Sequence, residues 1–323
     1  MVSFHLLPAK RSRLWIIEFM LIHLGRRRFI KAVGVTIGSI VINPYLYGQE
    51  NERFLQVPKS LWVWRTPLAE LEQVVQFAKR WGFDRLLYSI PLSDRPSLLA
   101  GEQPAIDHIK AVHAAHLQLF CTASGSDWVL GKATYPPQAI TALLSLCKRT
   151  KLFDGLYLDV EPHALPEWEG ADRDLMIQNF ISLLAATRQA AQAAGPFPVG
   201  AVVHPLYAKL ADSDKPSSSM LQSVLRNLDE VTVMAYRRLP QQAIAFGDAC
   251  LQQIAQSGVN WYFGVTTQNS LQAATLSYFG AGAKEFQRSC VGLDNLLRQS
   301  GGARCYRGIA VNEYRSLTEL LRG

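Results

Sequence analysis

The sequence predicts a single-domain α/β protein, a (β/α)8 barrel preceded by an N-terminal signal or anchor segment. The length of 323 residues is within the range of one such barrel. From residue 60 onward, eight short apolar stretches alternate with eight stretches whose apolar residues recur at helical spacing. Trp64-Arg65-Thr66-Pro67 follows the first stretch, where an open doubly wound sheet usually carries a Gly-rich phosphate turn. The barrel is therefore favoured over residues 51–323, with residues 1–50 as a separate segment.

The elements follow from local pattern. The first helix shows apolar residues three and four apart, and Gly195-Pro196 provides a stop signal for the longest helix. Residues 51–60 are interpreted as a polar linker. The strands are predicted at Leu61–Trp64, Arg85–Ile90, Leu117–Thr122, Gly155–Glu161, Val199–His204, Glu230–Tyr236, Trp261–Thr266 and Gly308–Asn312. The helices are predicted at Leu68–Trp81, Ala105–Ala115, Pro137–Lys148, Asp172–Ala194, Ser218–Asn227, Gln241–Gln256, Ala283–Gln299 and Leu317–Arg322.

The N-terminal segment has the features of a targeting signal. Arg26-Arg27-Arg28-Phe29-Ile30-Lys31 resembles the twin-arginine export signal, and the apolar run Ala32–Ile42 has the length of a signal h-region. This resemblance implies export by the twin-arginine machinery to an extracytoplasmic compartment, with Met20 as an alternative start. Cleavage near Tyr47–Glu50 and an uncleaved membrane anchor both stay open.

Charge and cysteine content exclude other classes of protein. The formal net charge is +7, but residues 1–50 hold seven Lys/Arg and two acidic residues, so the remainder carries only +2. That is too little for a dedicated phosphate-backbone surface, so nucleic acid is not an expected partner. The five cysteines lack metal-ligand spacing and are interpreted mainly as buried small residues, with a Cys290–Cys305 pair left open.

The predicted fourth strand carries two acidic residues on one face. Side chains alternate along a strand, so Tyr157, Asp159 and Glu161 are expected to face the interior, with the apolar residues between them facing the helices. Tyr157 is expected to contact the substrate there. Carboxyls two residues apart are close enough for one to raise the pKa of the other, which keeps one of them protonated near neutral pH. A buried salt-bridged pair is the structural alternative.

Active sites of (β/α)8 barrels lie at the carboxyl ends of the strands. Acidic, aromatic and amide side chains at that end suit a sugar, because carboxylates cleave the bond, aromatic faces pack on pyranose rings and amides bind hydroxyls. No metal or other cofactor is expected, since His204 has no partner at ligand spacing. The further residues predicted at this end are Trp64, His204, Tyr236, Arg237, Thr266, Gln268, Asn312 and Glu313.

Two motifs carry a resemblance to a known family. Phe153-Asp154-Gly155-Leu156-Tyr157-Leu158-Asp159-Val160-Glu161 resembles the strand-four signature D-x-x-D-x-D-x-E of glycoside hydrolase family 18, the chitinase-like barrels. Val233-Met234-Ala235-Tyr236 resembles the M-x-Y of the sixth strand in that family. The resemblance covers residues about 60 to 320 and implies the same barrel fold.

The resemblance also implies roles for individual residues. Glu161 would be the general acid, and Asp159 would orient a 2-acetamido group whose carbonyl oxygen attacks the anomeric carbon. Tyr236 would hydrogen-bond that oxygen. The chain departs from the pattern at Tyr157, where the family has Asp, and at Arg237, where Asp is frequent. Arg237 is expected either to lower the pKa of Asp159 and Glu161 or to bind an anionic glycan.

Each aromatic residue near the expected site has a functional and a structural interpretation. At most one of Trp62 and Trp64 is expected to line the mouth, with Trp64 as a sugar platform. Trp128 and Trp168 fall in predicted loops after strands three and four, where exposure and a subsite role are expected. His204 is either a substrate contact or a structural histidine, and Glu313 either a supporting residue or an ion-pair partner of Arg315 or Arg237.

Together these features predict an exported glycosidase that acts on a polysaccharide or glycan, with Glu161 as acid. Two alternatives stay open. One is a non-catalytic carbohydrate-binding, lectin-like barrel, and the other is an envelope-tethered scaffold for protein interactions.

Overall fold

Eight parallel strands close into one barrel in the described part of the chain, in the order β1 to β8. The computed structural model describes residues 51–131, 135–195, 197–212, 214–215, 217–269, 273–300 and 303–322. Each strand pairs in parallel with its neighbour in sequence, and β8 pairs with β1. The predicted (β/α)8 fold is therefore confirmed. The strands are β1 Lys59–Val63, β2 Arg85–Tyr88, β3 Gln118–Ser124, β4 Gly155–Asp159, β5 Val199–Val203, β6 Glu230–Val233, β7 Asn260–Thr266 and β8 Tyr306–Asn312.

Helices connect the strands and cover the outside of the barrel. Two short helices, Arg95–Ala100 and Ala273–Leu276, were not predicted. A layer of buried apolar side chains separates the sheet from the helices, as the outward-facing residues of β4 illustrate: Leu156 and Leu158 are both fully buried there. The helices that correspond to the eight predicted ones are Leu71–Arg80, Gln103–Ala114, Gln138–Thr150, Arg173–Ala194, Met220–Leu225, Pro240–Ser257, Ala283–Gln299 and Tyr314–Arg322.

The barrel interior is filled by a second, smaller cluster of large side chains. Tyr157 lies at its centre, fully buried, with its hydroxyl 2.6 Å from Thr232 Oγ1 and its ring edge-on to Trp62. These rings explain two glycines, because a Cβ on Gly155 would come within 2.2 Å of Phe120 and one on Gly200 within 2.3 Å of Tyr157. The cluster consists of Trp62, Leu87, Phe120, Tyr157, Val202, Met234, Tyr262 and Ala310.

A buried ion pair lies at the amino-terminal end of the interior. Arg85 on β2 donates to Glu230 on β6 across the barrel, at 2.5 Å. The Arg85 guanidinium is 4.2 Å from the centre of the Phe120 ring, so it is both paired and stacked. A paired charge and packed rings close this end of the barrel, which leaves the carboxyl end as the open one.

The chain that precedes β1 is part of the fold and not a linker. Residues 51–56 are helical, and Phe54 is fully buried among Trp81 and Phe286. The ammonium of Lys59 donates to the carbonyl oxygens of Phe54 and Val57, each at 2.6 Å. Burial lowers the Lys59 pKa to about 8. The interpretation of residues 51–60 as a polar linker is therefore wrong, because one buried ring and one buried lysine tie them to the barrel.

Two sequence features have a limited place in this structure. The twin-arginine motif, Met20 and the apolar run Ala32–Ile42 lie outside the described residues. Within the described ranges, no helix combines the length and hydrophobicity needed to cross a bilayer. The cysteines are free, four of them buried, and the Cys290–Cys305 bond left open by the sequence is not formed.

Candidate active site

A cavity of about 650 Å³ opens at the carboxyl end of the strands. Its wall is contributed by β1, β3, β4, β5, β6, β7 and β8 or by the loops that follow them, so nearly the whole ring of strand ends takes part. Of the residues predicted from the sequence, Trp64, Asp159, Glu161, Tyr236, Gln268, Asn312 and Glu313 line it. The structure adds Trp62, Arg65, Ser124, Val202, Met234 and Arg315.

The two carboxyls of β4 lie together in this cavity. Asp159 is the last residue of β4 and accepts a 3.5 Å hydrogen bond from Ser124 Oγ on the adjacent strand. Glu161 lies just beyond the strand, where its backbone N–H donates to Ser126 Oγ at 3.0 Å. The two carboxyls lie close enough for each to change the ionisation of the other.

Burial sets the ionisation of this pair. It raises the pKa of Asp159 to about 6. It also raises the pKa of Glu161 to about 7, and the negative charge and hydrogen bond of Asp159 act in the same direction. The higher pKa places the proton on Glu161 and the negative charge on Asp159. Near neutral pH the cavity thus offers one carboxylic acid and one carboxylate.

Tyr236 stands beside the pair, with Asn312. The amide oxygen of Asn312 accepts from Trp64 Nε1 at 3.2 Å, and Asn312 lines the cavity together with Tyr236. Burial and the charges of Glu161 and Asp159 raise the Tyr236 pKa, so the phenol keeps its proton. The hydroxyl can therefore act as a hydrogen-bond donor in the cavity.

Two indoles form one aromatic wall. The rings of Trp62 and Trp64 stack with centroids 5.1 Å apart and an interplanar angle of 15°. Both line the cavity, so the expectation that at most one of them would do so is wrong. Side chains two residues apart on a strand lie on the same face, so Trp62 and Trp64 both face the cavity. Trp62 is 3% exposed and supports Trp64 from below.

Cationic side chains stand at the rim next to this wall. Arg65 adopts a left-handed backbone conformation, with φ +50°, which is uncommon for a residue with a side chain. Arg315 donates to the Arg65 carbonyl at 3.1 Å and contacts Glu70 at 3.6 Å. Glu313 accepts from the backbone N–H groups of Arg315 and Ser316, so its carboxylate caps the last helix. No carboxylate of the described residues contacts the Arg65 guanidinium.

Several predicted residues do not reach the cavity. Tyr157 faces inward as expected but lies below the floor with its hydroxyl on Thr232, so the expected substrate contact is not available. Trp168 is 2% exposed and packs on Tyr207, which corrects the expectation of an exposed loop residue. Trp128 is half-buried and lies against Gly125, whose Cβ would come within 2.2 Å of the indole. Neither indole lines the wall.

Arg237 and His204 do not line the cavity and contact aromatic side chains outside it. The Arg237 guanidinium lies 3.9 Å from the centre of the Phe246 ring and donates to the Tyr236 carbonyl at 2.6 Å. It does not lower the pKa of either cavity carboxyl, and that expectation is wrong because burial raises both. His204 stacks on His163, with ring centroids 4.3 Å apart. Among the described residues, no group of three or more His, Cys, Asp or Glu side chains could hold a metal ion.

Some of the residues in or behind the cavity that were not predicted carried a signal in the sequence, and others did not. Trp62 follows from the two-residue period of β1, and Arg65 from its place at the end of that strand. His163, which contacts Glu161 at 3.5 Å, is two residues from the acid and could have been considered. Arg315 and Tyr207 had no such signal, because their positions depend on how distant loops pack.

Comparison with known proteins supports the fold. No protein-family model matches the sequence, and no curated protein matches it. A putative α-L-fucosidase from Bacteroides thetaiotaomicron VPI-5482 superposes with TM-score 0.50 at 12% identity, over 88% of this chain and 91% of that one. A putative deoxyribose-phosphate aldolase from Toxoplasma gondii ME49 gives TM-score 0.52 at 9% identity, over 85% and 96%.

The similar structures also include chitinases. A family 18 chitinase from Pseudoalteromonas aurantia gives TM-score 0.46 at 13% identity, over 80% of this chain and 94% of that one. An aldolase and a fucosidase share this barrel, so the likeness shows the architecture alone. The function of this chain therefore depends on the residues of its own cavity.

Proposed function

We propose that this protein is a glycoside hydrolase that cleaves a bond next to a 2-acetamido sugar, with Glu161 as general acid. The observation that carries the proposal is the adjacent pair of Asp159 and Glu161 in an open cavity, where burial and the charge of Asp159 raise the Glu161 pKa to about 7. Burying two carboxyls costs stability, so a functional role explains their position better than a role in folding does. Proton donation to a glycosidic oxygen near neutral pH requires an acid with such a raised pKa.

The common origin of the two carboxyls restricts the mechanism. Inverting glycosidases and retaining enzymes with a carboxylate nucleophile place their two carboxyls on either side of the bond. Asp159 and Glu161 are two residues apart at the end of one strand and line the same part of the cavity. This favours a substrate that supplies its own nucleophile, the carbonyl oxygen of a 2-acetamido group, as the strand-four resemblance implies.

The proposed reaction then has two steps. Glu161 gives its proton to the glycosidic oxygen, the bond between that oxygen and the anomeric carbon breaks, and the acetamido oxygen bonds to the anomeric carbon to form an oxazolinium ion. Asp159 balances the positive charge of this ring, and the Tyr236 hydroxyl donates to the acetamido oxygen. In the second step the Glu161 carboxylate takes a proton from water, whose oxygen attacks the anomeric carbon and reopens the ring.

The walls of the cavity suggest the character of the glycan. Trp64, held flat by Trp62, offers an aromatic face for a pyranose ring, and Gln268 and Asn312 offer amides for its hydroxyls. Arg65 has no carboxylate partner in the described part of the chain and stands beside this face. A glycan that carries a carboxylate or another anionic group near the cleaved bond would pair with it. Arg65, and not Arg237, is therefore the residue that we expect to bind an anionic group of the glycan.

A matched pair of variants tests the proposal. Glu161→Gln removes the proton donor, and Glu167→Gln makes the same change at an exposed position a few residues along the same loop. On a panel of neutral and acidic oligosaccharides containing 2-acetamido sugars, we expect Glu161→Gln to lower turnover by about 10³-fold or more while binding persists. Arg65→Gln should weaken binding of the acidic members only.

The outcomes separate this proposal from its rivals. Equal turnover by the Glu161→Gln and Glu167→Gln variants would remove Glu161 as the acid. Binding of glycans by a wild-type protein that cleaves none of them would instead favour the lectin-like barrel. Absence of both cleavage and binding would favour the scaffold.

A further inference from the structure

A group of three side chains stands behind Glu161 and has no place in the reaction described above. His163 lies in the short turn Pro162–Ala164 after β4, His204 follows β5, and Tyr207 lies in the turn Pro205–Ala208. Tyr207 is fully buried, and His163 is largely buried. None of the three lines the cavity. Of the three, His163 contacts the carboxyl of Glu161 directly.

The contacts form a chain that ends at the proposed acid. His163 Nε2 is 3.5 Å from Glu161 Oε2, and His163 Nδ1 is 2.9 Å from the Tyr207 hydroxyl. The imidazole of His204 stacks on that of His163 with centroids 4.3 Å apart and 28° between the planes. His204 is itself fixed, since its Nδ1 accepts from the backbone N–H of Leu206 at 3.2 Å. The plane and position of the His163 ring are therefore held from two sides.

Hydrogen-bond satisfaction determines which nitrogen of His163 carries the proton. The buried Tyr207 hydroxyl has one proton to place, and His163 Nδ1 is the acceptor that the described residues offer it. If Nδ1 were protonated, that hydroxyl proton would be buried without an acceptor, which is costly. Tyr207 therefore donates to Nδ1, and the proton of the neutral ring lies on Nε2, facing Glu161.

The surrounding groups keep this ring neutral. Burial, and then the neighbouring His204, lower the His163 pKa to about 3. Burial and the charge of Arg237 lower the His204 pKa to about 4. The groups that face His163 are Glu161 from the end of β4 and His204 and Tyr207 from the loop after β5, with Arg237 beyond His204. Across the pH range in which Glu161 titrates, the ring thus presents a fixed N–H dipole and no charge.

We infer that His163, oriented by Tyr207, is a positioning residue that stabilises the carboxylate form of Glu161. When Glu161 holds its proton, the 3.5 Å contact is too long for a strong hydrogen bond. When the proton leaves, the Nε2–H of His163 faces a negative oxygen, and a charge-assisted hydrogen bond forms. The interaction is stronger after proton transfer than before it, which is the condition for lowering a barrier. The catalytic consequence rests on the proposed function, whereas the ionisation of Glu161 does not.

Two variants test the inference without a substrate. His163→Phe keeps an aromatic ring against His204 but removes the N–H that faces Glu161. Tyr207→Phe removes the hydroxyl that sets the tautomer of His163. With 15N-histidine and 13C-carboxyl glutamate labels, we expect wild-type His163 to show a protonated Nε2 and an unprotonated Nδ1. The Glu161 signal, assigned by its loss in Glu161→Gln, should titrate about 0.5–1 pH unit higher in His163→Phe, because the carboxylate has lost a donor. The rise should be smaller in Tyr207→Phe, which keeps the ring N–H and loses only the group that fixes its tautomer.

The control is Tyr135→Phe, which removes a hydroxyl that donates to the Trp128 carbonyl. It should leave the Glu161 titration unchanged, and the melting temperatures of the three variants show whether each is folded. A wild-type His163 protonated on Nδ1, or a Glu161 titration that is the same in His163→Phe and wild type, would overturn the inference. If these NMR results are as expected and no glycan is cleaved, the proposed function fails and the positioning role stands.

Discussion

At the scale of single residues, the chemistry of Glu161 follows from what surrounds it. The carboxyl is neither fully buried nor freely solvated: its side chain is 33% exposed, enough for a substrate to reach it. Partial burial disfavours its charge, and Asp159 disfavours it further. The two effects act in the same direction, so the acid form persists up to neutral pH.

The same pair predicts the pH dependence of activity. Asp159 must be ionised and Glu161 protonated, so kcat/KM should follow a bell whose acid limb reflects the Asp159 pKa of about 6 and whose alkaline limb reflects the Glu161 pKa of about 7. Asp159→Asn removes the charge and the acceptor that raise the Glu161 pKa. Besides losing activity, this variant should therefore show its alkaline limb at lower pH.

A neighbouring acid provides the control for this profile. Asp127 is exposed in the turn after β3, and Asp127→Asn should leave both limbs in place. An alkaline limb that stays fixed or moves to higher pH in Asp159→Asn would contradict the electrostatic coupling of the two carboxyls.

At the scale of elements, the site is made where strands stop. β4 ends at Asp159, β5 at Val203 and β6 at Val233, each earlier than the apolar pattern predicts. Beyond these residues the backbone departs from regular strand geometry. The alternation of side chains along a strand therefore no longer predicts where Glu161, His204 and Tyr236 point. The alternation along β4 correctly predicted an inward Tyr157 and a shared location for the two carboxyls. It could not predict that Tyr157 would be covered by Trp62 and Phe120.

The element that precedes β1 yields a stability prediction. Phe54 is fully buried, its ring lies 5.7 Å from that of Phe286, and the Lys59 ammonium is 4.4 Å from its centre. Phe54→Ala would leave a cavity at the closed end of the barrel and should lower the free energy of unfolding by about 3–5 kcal/mol. Urea denaturation followed by circular dichroism measures this.

The adjacent residue is a matched control. Leu55 is 38% exposed, so Leu55→Ala should change the free energy of unfolding by roughly 0.5–1 kcal/mol at most. Equal and small losses in Phe54→Ala and Leu55→Ala would show that residues 51–56 do not contribute to the fold.

At the scale of the whole molecule, the sequence predicts the barrel well and the loops poorly. Eight apolar stretches, each followed by helical periodicity, correspond to the eight strands, and Asp159, Glu161, Tyr236 and Asn312 lie together because strand ends meet at one rim. Local pattern is sufficient for this, since each strand is buried in a regular way. Trp168 and Arg237 were misplaced because their partners, Tyr207 and Phe246, come from other parts of the chain.

The dependence of cleavage on leaving-group acidity tests the central claim most directly. A 2,4-dinitrophenyl glycoside of a 2-acetamido sugar needs no protonation to lose its aglycone, whereas a 4-methylphenyl glycoside does. We predict that Glu161→Gln slows the initial release of 4-methylphenol by about 10³-fold or more and the initial burst of dinitrophenolate by less than about 10-fold. Equal losses on the two substrates would contradict the assignment of Glu161 as the proton donor.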